Sequence, residues 1–172
     1  MELELSDSGS PGEGLSSSVI RRLGQAVSWL TLVMVGLTFT VVVLRYGMNQ
    51  GWIWLQESVT YLHACVFMIA AAWACQTDEH VRVDIYYREK SDVHKAWVNL
   101  LGTLIFLIPF CVFLLIIGWN YVAASWATME TSREAGGLPM VYLLKSLILV
   151  LPALLLLQSY NTVRTCISII KT

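Results

Sequence analysis

Four long apolar runs dominate the 172-residue chain. A bilayer crossing takes about 20 apolar residues at about 1.5 Å of rise each, and each run is long enough. The first, residues 23–44, carries no charge and ends at Arg45. The second, 53–75, is uncharged except for Glu57, holds His63 near its middle and closes on Ala70-Ala71-Ala72-Trp73-Ala74. The third, about 97–119, lies inside a charge-free stretch from Ala96 to Met129 that exceeds one perpendicular crossing. It has to tilt or extend into the interface, and Pro109 within it removes a backbone hydrogen bond and invites a kink. The fourth, about 138–158, has Lys145 near its start and Pro152 inside it. The expected fold is an all-α integral membrane protein of four transmembrane helices, with a short interfacial segment between the second and third.

Composition agrees: 56% of the residues are hydrophobic and only 13% charged. Soluble domains carry about 25% charged residues, so the charges here are too few to cover a water-soluble globule. A net charge of -1 leaves no electrostatic footprint for nucleic acid, and no nucleic-acid partner is expected. The distribution of the basic residues is more telling than their sum. Arg21, Arg22, Arg82, Arg88, Lys90, Lys95, Arg164 and Lys171 fall on one side of the four crossings, Arg45 and Arg133 on the other, and Lys145 within a span. Cytoplasmic segments accumulate Lys and Arg, which places both termini and the middle loop in the cytoplasm.

Residues 1–20 are rich in Ser, Gly and Glu and read as a disordered cytoplasmic tail. Residues 21–165 form the transmembrane domain and 166–172 a second cytoplasmic tail. The acidic start, with Arg21-Arg22 just ahead of the first run, does not fit a cleavable signal peptide, so that run is expected to stay as an anchor. The middle loop, residues 76–95, is the most charged part of the chain yet keeps Val81, Val83, Ile85, Tyr86 and Tyr87. It reads either as an interfacial segment or as a solvated turn, with Ser91 or Asp92 able to cap the third helix. Cys65, Cys75, Cys111 and Cys166 show neither CxxC nor zinc spacing and read as small apolar side chains.

No phosphate-binding loop, dinucleotide fingerprint or HExxH motif is present, so neither an enzyme nor a bound metal or cofactor is expected. Haem b usually asks for imidazoles on facing membrane helices. Only His63 lies deep in a span, and a packed, hydrogen-bonded side chain is the plainer expectation for it. Ionisable groups within a span are costly and need partners. Glu57 and Lys145 lie at similar depth near one membrane face, with Arg45 at the same end. The expected arrangement has Glu57 held by Arg45, Lys145 or both; the alternative is that all three reach the headgroups independently. On the second helix, Glu57, Tyr61, Ala64, Met68, Ala71 and Cys75 form one stripe, and His63, Phe67, Ala70 and Ala74 another. Small residues on both stripes suit burial between neighbours. Leu147, Ile148, Leu151, Leu154 and Leu155 are bulky and suit lipid or a greasy partner.

Several of these features, in order, resemble the small membrane subunit (DctQ-like, Q-type) of tripartite ATP-independent periplasmic (TRAP) transporters. Arg45-Tyr46 closes the first span as an RY pair does in that family. Trp54 and Glu57 give its W-x-x-E pattern, His80-Val81-Arg82-Val83-Asp84 its HVxVD signature, and Pro139 with Tyr142 opens the last helix as its Pro and Tyr do. Lys145 departs from the neutral residue expected there. The similarity covers roughly Arg21 to Arg164.

The resemblance implies a subunit of the bacterial inner membrane that binds a large permease subunit and braces its immobile scaffold. The permease moves an organic acid anion with sodium by an elevator motion, and a periplasmic substrate-binding protein delivers the anion. Arg45, Tyr46, Trp54, Glu57, His80, Val81, Asp84, Pro139 and Lys145 become candidates for structural or partner contacts, with membrane lipid as the remaining neighbour. For His80 and Asp84 the alternative is capping of their own loop. Two other functions stand beside this one: a haem- or quinone-associated anchor of a respiratory complex, and a small exporter in which Glu57 exchanges protons.

Overall fold

The computed structural model describes residues 15–77 and 91–171, with side chains from residue 18 onward. His80, Val81 and Asp84, with the rest of the HVxVD element, lie outside the described residues. The elements are α1 (Leu15–Gly47), α2 (Ile53–Gln76), α3 (Asp92–Gly102), a π-helical stretch (Thr103–Leu107), α4 (Ile108–Ala127) and α5 (Val141–Lys171). No strand occurs among the described residues. Four helical segments are long and apolar enough to cross a membrane, the third being the continuous run Asp92–Ala127.

That run answers the question posed by Pro109. A proline has no N–H to give to the carbonyl four residues back, here that of Ile105. The helix widens just before it, and the backbone N–H of Ile108 reaches back to Thr103 O. The expected kink is a single wide turn of the π type, which often occurs as an isolated bulge in an α-helix. Ser91 caps the start, its hydroxyl accepting from His94 N.

Helix α5 packs against every other helix; α1 and α2 lie against each other on one side of it and α4 on the other. Ile20, Ala72, Cys111 and Leu155, one from each span, form a buried cluster with Leu107, Leu151 and Leu154 against it. A second cluster joins Ala96 and Leu100 of α3 to Cys166 near the end of α5. Leu151, Leu154 and Leu155 of α5 therefore face its neighbours, where lipid or a partner was expected; a helix surrounded on several sides has little surface to give to lipid. The second cluster also explains why α5 runs on to Lys171, through residues expected to form a tail. α1 likewise starts at Leu15, inside the expected N-terminal tail. All four cysteines are free thiols, and Cys111 and Cys166 are buried.

In lipid, apolar surface gains little by leaving its surroundings, so close packing decides association. Gly24 of α1 shows how close: a Cβ there would collide with the Trp73 ring of α2. We expect Gly24→Leu to force the two helices apart and to lower the stability of the purified chain by about 1–3 kcal/mol, read as a lower denaturation midpoint in detergent.

Candidate functional site

Arg45, Glu57 and Lys145 lie at one end of the molecule, where α1 leads into α2 and α4 into α5. Helix α4 ends in a Schellman-type turn. Met129 takes the left-handed conformation at φ 44°, its N–H donates to Trp126 O at 3.2 Å, and the Glu130 N–H donates to Ser125 O at 3.0 Å. Glycine is usual at such a position because it has no Cβ. The turn aims the Glu130 carboxylate back at the bundle, where it accepts from Ser125 Oγ at 2.7 Å and from Lys145 Nζ at 2.5 Å. The same ammonium lies 4.1 Å from the centre of the Tyr121 ring. With the Lys145 side chain 16% and that of Glu130 30% exposed, the pair is largely withdrawn from its surroundings. The Lys145 hydrogen bond, then the Ser125 one, hold the Glu130 carboxyl below its ordinary range.

The chain then folds over the end of α2. The Ser132 N–H donates to Leu138 O at 3.1 Å, and the Val141 N–H to Glu130 O at 3.1 Å, so residues 130–141 close into a compact loop. Gly136, at φ 81°, makes the turn. Into this loop reaches the Glu57 carboxylate, which accepts from Ser132 Oγ and from the Leu138 backbone N–H at 2.6 Å. A Cβ on Gly137 would collide with Ser132 and crowd Glu57 Oε1, so the second glycine is there for space.

Glu57 is thus held neither by Arg45 nor by Lys145, contrary to the expected pairing. The Ser132 hydroxyl and the Leu138 N–H sit directly above it, while Lys145 faces the α4–α5 junction and finds Glu130 there. Arg45 is exposed in the last turn of α1, beside Tyr46 at 82% exposure. Trp54 is exposed and stacks on Trp52, ring centres 6.0 Å apart. Pro139 is exposed on the lead-in to α5. The structure brings Glu57 and the 130–141 loop together and leaves Arg45 and Tyr46 outside. Ser125, Glu130, Ser132 and the Leu138 N–H went unnoticed in the sequence. The acidic Glu130 just past a charge-free run, with a cation within the next span, was the one available signal. Trp126 adds a further tie across the same junction: its Nε1 donates to Ser146 Oγ at 2.9 Å, and its ring lies edge-on to Tyr142.

His63 is exposed on α2, against the expectation of a packed, hydrogen-bonded side chain. Among the described residues no group of three His, Cys, Asp or Glu is placed to hold a metal.

The profile of the family described as tripartite ATP-independent periplasmic transporters, DctQ component, matches residues 34–168. The chain belongs to that family. The match runs from the middle of α1 to near the end of α5 and so takes in the whole closure around Glu57 and Glu130. No curated protein and no solved structure matches. DctQ proteins are multi-pass inner-membrane components of a transporter, working with a large permease subunit and a periplasmic binding protein; they are not a known enzyme family.

We expect Glu57→Gln to speed hydrogen exchange across residues 130–138, because the carboxamide turns one acceptor into a donor. Ser132→Ala should add little on top of it, the two acting as one unit. The Glu130 carboxyl is depressed on folding, so its contribution is complete at neutral pH and is lost as pH falls through its folded value, below the ordinary carboxylate range of about 4.3. Exchange in the same loop should therefore be flat from neutral pH down to that range, after correction for intrinsic rates, and rise below it.

Proposed function

We propose that this chain is the small scaffold subunit that braces the large permease during ion-coupled uptake of an organic acid anion. Sodium is the coupling ion and a periplasmic binding protein the source of the anion. Both termini and the 76–95 segment face the cytoplasm in this reading, following the basic residues, and the Glu57 end faces the periplasm.

The observation that carries the reading is the use made of Glu57 and Lys145. These are the carboxylate and the ammonium that the spans offer to an ion path, and both are spent on closing the 130–141 loop. Hydroxyls deeper in α1 are spent as well: Thr31, Thr38 and Thr40 each donate to the carbonyl four residues back. Such a chain is suited to standing still. Alternating access needs an element held fixed while another moves, and a four-helix slab clamped at one end by ionic and hydrogen-bonded contacts supplies it. Exporter chemistry through Glu57 finds no support in a half-buried carboxylate whose two oxygens are both engaged by its own loop. The haem reading fares no better, because His63 lies mid-span while His94 sits in the first turn of α3.

Within this proposal, Arg45, Tyr46 and Trp54 contact the permease or the headgroups around it, and His80, Val81 and Asp84 contact it from the cytoplasmic side. Glu57, Pro139 and Lys145 shape the subunit itself. Co-expression with the permease should yield a stable complex that transports, while the chain alone, reconstituted in vesicles under a sodium gradient, should move no solute. Uptake by the chain alone, or failure to retain the permease in mild detergent, would overturn the reading.

A further inference from the structure

Helix α2 has two unlike sides. One packs between α1 and α5, with Ala72 fully buried. The other carries Thr60, His63 and Phe67, at i, i+3 and i+7, and all three are exposed, Phe67 to 63%. His63 is the eleventh residue of a 24-residue spanning helix, about 15 Å from its start at 1.5 Å per residue and thus close to the middle of a hydrocarbon core about 30 Å thick. Neither His63 nor Thr60 makes a hydrogen bond to any described residue. Ser58 on the same helix, by contrast, donates to Trp54 O at 2.7 Å.

A hydroxyl and an imidazole facing hydrocarbon at that depth are costly, and polar side chains within membranes almost always face protein or water. Lipid tails offer no acceptor for the imidazole N–H and no donor for its other nitrogen. We infer that the Thr60–His63–Phe67 face of α2 is the docking face for a transmembrane helix of the large permease subunit. That helix presents a side chain able to hydrogen-bond with His63, and Phe67 packs against its flank one turn further on. The inference rests on the proposed scaffold function and assigns it a place on the molecule. The permease is the occupant favoured over a second copy. Two copies meeting through this face about a two-fold axis would set like atoms of the same tautomer against each other, an N–H on an N–H or a lone pair on a lone pair, whereas a different chain can offer the complementary group.

The test uses the full chain co-expressed with its permease. His63→Leu should lower the fraction of permease retained through detergent washing by about three- to ten-fold, the range expected for one interhelical hydrogen bond in a membrane. His63→Gln, which still donates and accepts, should restore most of it. The melting temperature of the chain purified alone should not fall in either variant, which separates docking from folding. A photo-crosslinking amino acid in place of Thr60 or Phe67 should give an adduct with the mass of chain plus permease. Equal retention in His63→Leu, an adduct of twice the chain mass, or adducts with lipid alone would overturn the docking face while leaving the scaffold function standing. Wild-type chain that holds no permease would bring down both.

Discussion

A protein that lives in hydrocarbon cannot rely on the expulsion of water to press its helices together, so their backbones must approach closely and their polar groups must find each other. Every main feature of this molecule answers that constraint. Gly24 admits the Trp73 ring to the surface of α1. Gly118 brings α4 so near α5 that a Cβ would lie 3.2 Å from Leu149. Ser28, Thr31, Thr38, Thr40 and Ser58 return their protons to their own helices. Around α5, which every other helix touches, these contacts add up to one cluster shared by all four spans and a second one with α3.

The charges are handled by the same logic. An isolated ion at membrane depth is expensive, and a pair is tolerable only when its geometry is good. Glu130 and Lys145 meet in a short, mostly enclosed contact with a serine and an aromatic ring completing the shell. Glu57 uses a hydroxyl and a backbone N–H in place of a cation, charge-assisted bonds that are stronger than neutral ones. The two carboxylates thereby pin both ends of one loop, and the loop in turn ties α2 to the α4–α5 junction. Glu57 acts here within its own chain.

Much of this was legible in the sequence, because hydropathy over twenty residues is a strong signal and the spans followed from it. A disturbance of the third helix at Pro109 was also foreshadowed by local chemistry, whereas that helix runs to Ala127, beyond the expected 97–119. Tertiary choices were not. Whether Glu57 meets Arg45, Lys145 or Ser132 depends on how a loop folds over a helix end, and Ser132 carries no pattern that marks it. The leucines of α5 look the same whether they face lipid or protein, since both are apolar. His63 was expected to be packed and is exposed, because small residues occupy both stripes of α2 and periodicity alone could not choose between them. The extension of α5 to Lys171 depends on α3, a partner more than sixty residues away in the chain.

The wide turn at Thr103–Leu107 lies between the cluster around Cys166 and the one around Cys111. A turn whose hydrogen bonds are already displaced bends more cheaply than a regular one. The Asp92–Ala127 run can therefore change direction between its two packed parts, the first seated on the end of α5 and the second in the core shared by the four spans.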